Sequence, residues 1–505
     1  MSEQLADRSL LDTEPIPAPS KPIRFWHALV PVAVLVVLIV WGMIIGPLVF
    51  ELPSWPLEFT FLLAAVATWL LMFGLGFNFE AISTAMARRT RTALPAIWML
   101  MAIGVLIGSW TAAGTIPMLV HYGMLIIDPS WIYLIALLLT SVFSLLTGTS
   151  WGSAGTIGVV LINIGMATDA NLGLLAAAII CGAYFGDKMS PLSDTTNMAA
   201  MGAGVPLYSH VRSMVNTTGP SYVVAVVLTI VFGMMQPARE GVDVSTFTRP
   251  VADDLARAFD FNILVWVPLL VMLAGAFLRK APLPTLLYSA ASGAIVALLI
   301  QGFSFDNVIQ SLINGVTIDM TGAEIGEQAV AIIERGGLYS MASAVLITLC
   351  VFMYIGSLDL INAMGRVVDR AFGKIKSRPG IIISSLISSA FVNGFSSNQY
   401  ATSFIIGTAF GPKYDEAGIP RKVLSRSIED YGTFIEPMLP WTTTGVYMVA
   451  TLGVAYGDYL PYMFLQWANF IVAPLLAITG IGCFYGEAKR RRAKRAEKEA
   501  AASHE

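Results

Sequence analysis

Long apolar runs, separated by short polar or basic segments, recur along most of the chain. They fall near 28–50, 56–76, 95–120, 131–147, 171–187, 216–235, 261–278, 281–301, 338–358, 379–395, 440–456 and 461–485. Ala28 to Phe50 holds no charged side chain, and about 20 apolar residues are enough to cross a hydrocarbon core. The pattern predicts an all-α polytopic membrane protein. Composition agrees: of 505 residues, 56% are hydrophobic and 12% charged, where soluble domains carry about 25% charge.

Charge adds orientation. Arg88, Arg89 and Arg91 mark one cytoplasmic loop, Arg279 and Lys280 a second, and Arg366, Arg370, Lys374, Lys376 and Arg378 a third, by the excess of Lys and Arg on the inner side. The tail "KRRRAKR" (Lys489–Arg495) reads as a topology signal rather than a nucleic-acid or lipid patch. The polar N-terminus lacks the basic start of a signal peptide, so the first apolar run is expected to be retained. Both termini are thus expected in the cytoplasm of a multi-pass plasma (inner) membrane protein. The expected partition is a cytoplasmic tail 1–25, a first transmembrane half 26–235, an extracytoplasmic loop 236–260, a second half 261–486 and a basic tail 487–505. The net charge of −3 says little about partners. Cys181, Cys350 and Cys483 are far apart in apolar context and suggest packing, not a disulfide or a metal site.

The two halves carry an internal likeness. "GTSWGSAGTIGVV" begins at Gly148 and "GFSSNQYATSFII" at Gly394, 246 residues on. The same spacing pairs Ser150 with Ser396, Thr156 with Thr402, Gly165 with Gly411, Gly186 with Gly432, Pro191 with Pro437 and Thr196 with Thr442. The segments around Asp128 and Asp169 that flank the first copy lack Lys and Arg, whereas 366–378 and 413–426 are rich in both. Opposite flanking charge predicts an inverted-topology repeat with two re-entrant hairpins and broken transmembrane helices.

Glycine, serine and proline break helices, and broken backbone is tolerated at membrane depth only inside protein or along a wet cavity. "GTSWGSAGT", "GFSSNQYAT", "GDKMSPLSDTT" and "GTFIEPMLPWTTTG" have that composition. Their side chains are hard oxygen donors: Asp187, Ser190, Ser193, Asp194, Thr195, Thr196, Ser150 and Thr156. The second half adds Asn393, Ser396, Asn398, Glu429, Asp430, Glu436, Thr442 and Thr443. Such donors suit alkali cations or protons. Intramembrane carboxylates each cost about 2.5–3.5 kcal/mol or more, so several together call for a compensating cation or proton.

Asp187 and Lys188 can equally form a structural ion pair at a helix end. Asp194 has no adjacent base, which makes it the expected titrating ligand, with Na+ held by Asp194, Ser150 and Thr195. Glu429 and Asp430, near Arg426, read as structural and interfacial. His121 and His210 read as polar packing or interface residues. Asp359 has no assignment.

"GDKMSPLSDTTNMAA" (Gly186–Ala200) closely resembles the signature of the NhaC-type Na+/H+ antiporter family, within the ion transporter superfamily. "IGSWTAAGTIP" (Ile107–Pro117), "GTSWGSAGTIGVV" and "RSIEDYGTFIEPMLPW" (Arg426–Trp441) resemble other blocks, and the likeness spans roughly residues 60 to 470. It implies a secondary active transporter that exchanges cytoplasmic Na+ for external protons by alternating access. Similar proteins exchange malate for lactate with Na+ and H+. This chain departs from the family pattern after "PW", with "TTTG" where an Asn-Thr pair is expected. Glu436 stands where a small polar residue is usual, so an extra carboxylate bears on ion stoichiometry or substrate.

The alternative on the same fold is a Na+- or H+-coupled carrier or exchanger of a small organic acid, for which Lys188 would be the substrate or charge-compensating base. An intramembrane aspartyl hydrolase would use Asp187 and Asp194 as a dyad, but both lie on one broken segment, so no enzyme activity is expected. A channel fits the two-fold repeat less well than a carrier. No P-loop spacing suggests ATP coupling. The expected partners are Na+, protons and the bilayer, with a homodimer as an option, no nucleic acid and no cofactor.

Overall fold

The computed structural model describes residues 19–126, 128–237, 244–278, 280–372 and 375–485. The basic tail 487–505, residues 1–18, part of the 236–260 loop, and Arg279 and Lys374 lie outside the described residues. Among the described residues every regular element is helical. Ten helices are long and apolar enough to cross a bilayer, or up to twelve if two bent pairs each count as one span. The chain is a multi-pass membrane protein.

The helices used below are α1 (Phe25–Ile39), α2 (Leu57–Gly74), α3 (Phe79–Ala112), α4 (Ile132–Thr147), α5 (Ser150–Ala167), α6 (Leu172–Met189), α7 (Asp194–Ala203) and α8 (Leu207–Met235). They continue with α9 (Pro282–Leu299), α10 (Ala342–Asp359), α11 (Arg378–Ser396), α12 (Gln399–Ala417), α13 (Arg421–Ile435), α14 (Thr443–Leu452) and α15 (Phe464–Thr479).

Several expected spans differ. Arg88, Arg89 and Arg91 are not in a loop but inside α3. That helix has 34 residues, so it is about 51 Å long at 1.5 Å per residue; its basic turns extend past a hydrocarbon core of about 30 Å. The run 95–120 is divided, because Gly114 takes a left-handed φ of +76° between α3 and a new helix, Thr115–Ile126. The run 261–278 is joined to the preceding helix at a sharp bend, with 101° between Pro250–Ala258 and Ile263–Gly275. The run 440–456 shortens to α14. Conversely, the polar "GTSWGSAGT" not only breaks a helix but also starts one, α5.

By internal contacts the chain divides into two compact units. One comprises Met1–Trp98, Ser343–Ile375 and Trp441–Val446; the other comprises Met99–Ala342, Lys376–Pro440 and Tyr447–Glu505. Within the first, the Phe61 ring meets those of Tyr354 and Trp441, and Trp69 Nε1 donates to Ser357 Oγ over 2.8 Å. Asp359 lies 3.7 Å from Arg89 with half its side chain exposed, a setting in which ion pairs contribute little.

Within the second unit, small residues let backbones approach closely, the usual means of helix association in lipid. A Cβ on Gly186 of α6 would lie 2.3 Å from the Ser141 carbonyl of α4, and Ser144 Oγ donates to the Ala183 carbonyl over 2.6 Å. A Cβ on Gly407 of α12 would lie 1.9 Å from the Gly202 carbonyl of α7.

The same unit holds the helix breaks. α4 ends at Gly148 (φ +69°), and Thr149 caps α5 by accepting the Gly152 N–H. α11 ends at Ser397 (φ +48°), and Asn398 caps α12 by accepting the Ala401 N–H. α6 ends in extended Ser190, after which Ser193 accepts the Thr196 N–H at the start of α7. α13 runs into a single 3-10 turn, Glu436–Met438, and then extended Leu439. The breaks of each half touch: a Cβ on Gly148 would meet Leu192 Cβ at 2.7 Å, and one on Gly394 would meet Leu439 Cδ1 at 2.8 Å.

Candidate functional site

Asp187 sits in the last turn of α6, 4% exposed. Its Oδ2 accepts from Ser150 Oγ, in the first turn of α5, over 2.8 Å. Its Oδ1 is buried and has no hydrogen-bond partner. An ionised carboxylate left in that state is costly unless a cation or a proton joins it.

Lys188, 1% exposed, does not pair with its neighbour Asp187. It points the other way around α6, to Asp430 Oδ1 of α13 at 2.5 Å. Thr217 Oγ1 of α8 donates to the same oxygen over 3.0 Å, Arg426 Nε lies 3.9 Å from the other, and the Phe434 ring centroid is 4.0 Å from the ammonium. Arg426 also donates to the carbonyls of Ser213 and Gly482. Two cations thus surround one buried carboxylate, and Lys188 is neutralised by the second half of the chain.

Glu429, one residue before Asp430, is fully buried. His210 Nε2 lies 2.7 Å from its Oε2, and His210 Nδ1 lies 2.8 Å from Ser425 Oγ. Thr196 Oγ1 stands 2.9 Å from Glu429 Oε1 and 3.2 Å from the Lys188 carbonyl. Glu429 and Asp430 are therefore buried inside the protein, where α8, α7 and α6 cover that face of α13. His210 belongs to this network as a buried polar contact.

The other expected ligands are distributed around the breaks. Asp194 is exposed at the start of α7, where Tyr400 Oη donates to its Oδ2 over 2.5 Å. The Ser193 and Thr195 hydroxyls lie 3.0 Å apart, and Ser190 Oγ donates to the Leu145 carbonyl over 2.9 Å, which holds the end of α6 to α4. Thr156 lies in a π-helical turn, Ala154–Gly158, and donates to the Gly152 carbonyl over 2.7 Å; such turns are frequent at functional sites. In the second half Ser396 Oγ lies 3.4 Å from Thr402 Oγ1, and Thr442 Oγ1 accepts the Gly445 N–H over 2.9 Å. Asn393 Nδ2 has three oxygens around it: the Gly432 carbonyl and Glu436 Oε1 at 2.7 Å, and Gln399 Oε1 at 2.9 Å.

Among the described residues no three His, Cys, Asp or Glu side chains gather as a metal centre. The donors are hydroxyls, amides and single carboxylates, a hard set. Tyr400, Gln399, Thr217 and His210 were not singled out as site residues by sequence. For Gln399 and Tyr400 the signal was present, since both stand in the polar "SSNQYAT".

The sequence profile described as the Na+/H+ antiporter family matches residues 182–481, a stretch that carries Asp187, Lys188, Glu429, Asp430 and Glu436. The chain belongs to this family. Family relatives match over nearly their whole length. An uncharacterised Na+/H+ antiporter of Haemophilus influenzae is 37% identical over 89% of this chain and 95% of its own. A malate-2H+/Na+-lactate antiporter of Bacillus subtilis is 31% identical, and the Na+/H+ antiporter NhaC of Alkalihalophilus pseudofirmus 32% identical, each over 85% of this chain and 91% of the relative. The antiporter profile begins five residues before Asp187, so both the buried carboxylate of the first half and its ion-paired neighbour fall inside it.

Proposed function

We propose that this protein exchanges cytoplasmic Na+ for external protons by alternating access, with Asp187 as the exchanging carboxylate and Ser150 beside it. The observation that carries this reading is the buried, unpartnered Oδ1 of Asp187. A proton or a Na+ ion completes that group, and the two cannot do so together. Competition for one carboxylate couples the two fluxes without ATP. The family and the curated relatives support this substrate pair.

Asp194 loses the leading role that it has from sequence alone. That role assumed Lys188 would neutralise Asp187, whereas Lys188 is held by Asp430. Asp194, exposed beside Tyr400, instead stands where ions would enter or leave.

The wider arrangement belongs to the same proposal. The breaks at Gly148–Ser150 and Ser397–Gln399 are the tips of two re-entrant hairpins that enter from opposite sides. Residues 26–235 and 261–486 form two inverted halves, with both termini in the cytoplasm of the plasma (inner) membrane. Exchange of an organic acid, as the name of the Bacillus subtilis relative describes for that protein, has weaker support here. Lys188, the base on which that reading depends, is buried against Asp430 and Phe434.

The test is transport in proteoliposomes with an internal pH dye, in Na+, Li+ or K+, with and without malate or lactate. Asp187→Asn should abolish Na+-dependent proton movement while Asp194→Asn keeps it. Normal transport by Asp187→Asn would sink the reading, and transport that requires malate or lactate would favour the acid exchanger.

A further inference from the structure

Six backbone landmarks recur at a spacing of 249 residues. The left-handed caps Gly148 and Ser397 are one pair, and the N-caps Thr149 and Asn398 a second. The N-caps Asn171 and Pro420 follow, then the extended residues Ser190 and Leu439. The N-caps Ser193 and Thr442, and the left-handed glycines Gly204 and Gly453, complete the set. This spacing differs by three residues from the 246 at which glycines and prolines coincide in sequence. It changes which side chains correspond. Asp187 now matches Glu436, and Ser150 matches Gln399.

The local geometry agrees. The Ser190 N–H donates to the Asp187 carbonyl over 3.1 Å, and the Leu439 N–H donates to the Glu436 carbonyl over 3.4 Å. Asp187 therefore stands on the last turn of α6 and Glu436 opens the 3-10 turn that continues α13, each three residues before the chain goes extended. Each is also connected to the residue that follows a helix N-cap: Asp187 directly to Ser150, and Glu436 through Asn393 to Gln399.

The amides around Glu436 are out of balance. Asn393 Nδ2 has two hydrogens and three oxygens at 2.7–2.9 Å. Asn393 is fully buried and Gln399 is 4% exposed, yet Asn393 Oδ1 and Gln399 Nε2 have no hydrogen-bond partner. A half-turn of the Asn393 amide would place four oxygens face to face, which only a cation or a proton can hold together. Buried amides left unmatched in this way cost free energy, and an ion that came and went would use that cost.

We infer that Glu436, Asn393 and Gln399 form a second exchange site, at which Na+ and a proton compete as they do at Asp187. The inference deepens the antiport reading and rests on it. Its donors are one carboxylate, the Asn393 and Gln399 amide oxygens and the Gly432 carbonyl, a set for a monovalent hard cation.

The experiment counts Na+ bound, and protons released, when NaCl is added to the weakly buffered, detergent-solubilised full chain. Wild type, Glu436→Gln, Glu436→Asp and Asp187→Asn are compared, with monodispersity as the check on folding. Glu436→Gln should bind one Na+ fewer than wild type and release fewer protons, and Glu436→Asp should restore both. Asn393→Leu, which removes the amide but keeps the carboxylate, should weaken the same Na+ about tenfold. Glu436→Gln that binds as many Na+ as wild type overturns the second site, and fewer released protons with unchanged Na+ would make Glu436 a proton carrier only. If instead Asp187→Asn binds like wild type and Glu436→Gln loses one Na+, the Asp187 reading fails and this one stands.

Discussion

Lys188 and Asp430 meet at 2.5 Å although 242 positions separate them in the chain. The contact ties the end of α6 to the middle of α13, and it leaves Asp187 without the base that stands next to it in sequence. It also fixes a charge balance inside the protein, because Arg426 shares the same carboxylate.

Removal of one member of such a pair strands the other. Breaking a buried ion pair costs about 3–5 kcal/mol, so Asp430→Asn should lower the unfolding temperature of the purified protein markedly. A melting curve like that of wild type would mean that water reaches this pair and that its burial has been misjudged.

Proton competition has a definite sign. Under the proposed competition a protonated Asp187 does not take Na+, so the apparent KM for Na+ should rise steadily as pH falls through the active range, while the maximal rate at saturating Na+ changes less. Initial rates over a grid of pH and Na+ concentration decide this. A KM that stays flat across that grid argues for separate, non-competing sites.

Ser150 Oγ–H supports the ionised form of Asp187. A hydrogen bond to a charged group contributes about 1.5–3 kcal/mol, so Ser150→Ala should weaken Na+ roughly tenfold or more. Ser150→Thr keeps the hydroxyl and should recover most of the loss. Equal loss in both variants would assign Ser150 to packing alone.

Gly148 combines a left-handed backbone with contact against Leu192. A side chain in that conformation costs roughly 1–2 kcal/mol, and the added Cβ would also press on the second break. Gly148→Ala should therefore slow transport more than it lowers expression. The comparison is rate per reconstituted molecule, and an unchanged rate would uncouple the two breaks.

Much of this was legible in the sequence because the membrane imposes strong rules. Apolar runs marked most crossings, and clusters of Gly, Ser and Pro marked where α4, α6, α11 and α13 end. The misses have physical causes. "GTSWGSAGT" is too polar to register as a span, yet α5 begins inside it because Thr149 caps it. Glycines that coincide at a spacing of 246 are not matching conformations: Ser397, 249 residues after Gly148, takes the same left-handed cap. Partners such as Lys188 with Asp430, or His210 with Glu429, lie hundreds of residues apart, and no local pattern announces them. Sequence ranks Asp194 above Asp187 on the neighbouring Lys188 alone; it does not show that Asp187 is buried and Asp194 exposed.

The contact between Gly202 and Gly407 sets a mechanical condition. A helix from the first half and one from the second are pressed backbone to backbone, with no side chain between them to slide or swing. The nearby Lys188–Asp430 and His210–Glu429 bonds cross between halves as well. A rigid-body movement of one half of the sequence against the other would have to break all of these contacts. The contacts join helices of both halves into one interlocked block around α7, α12 and α13.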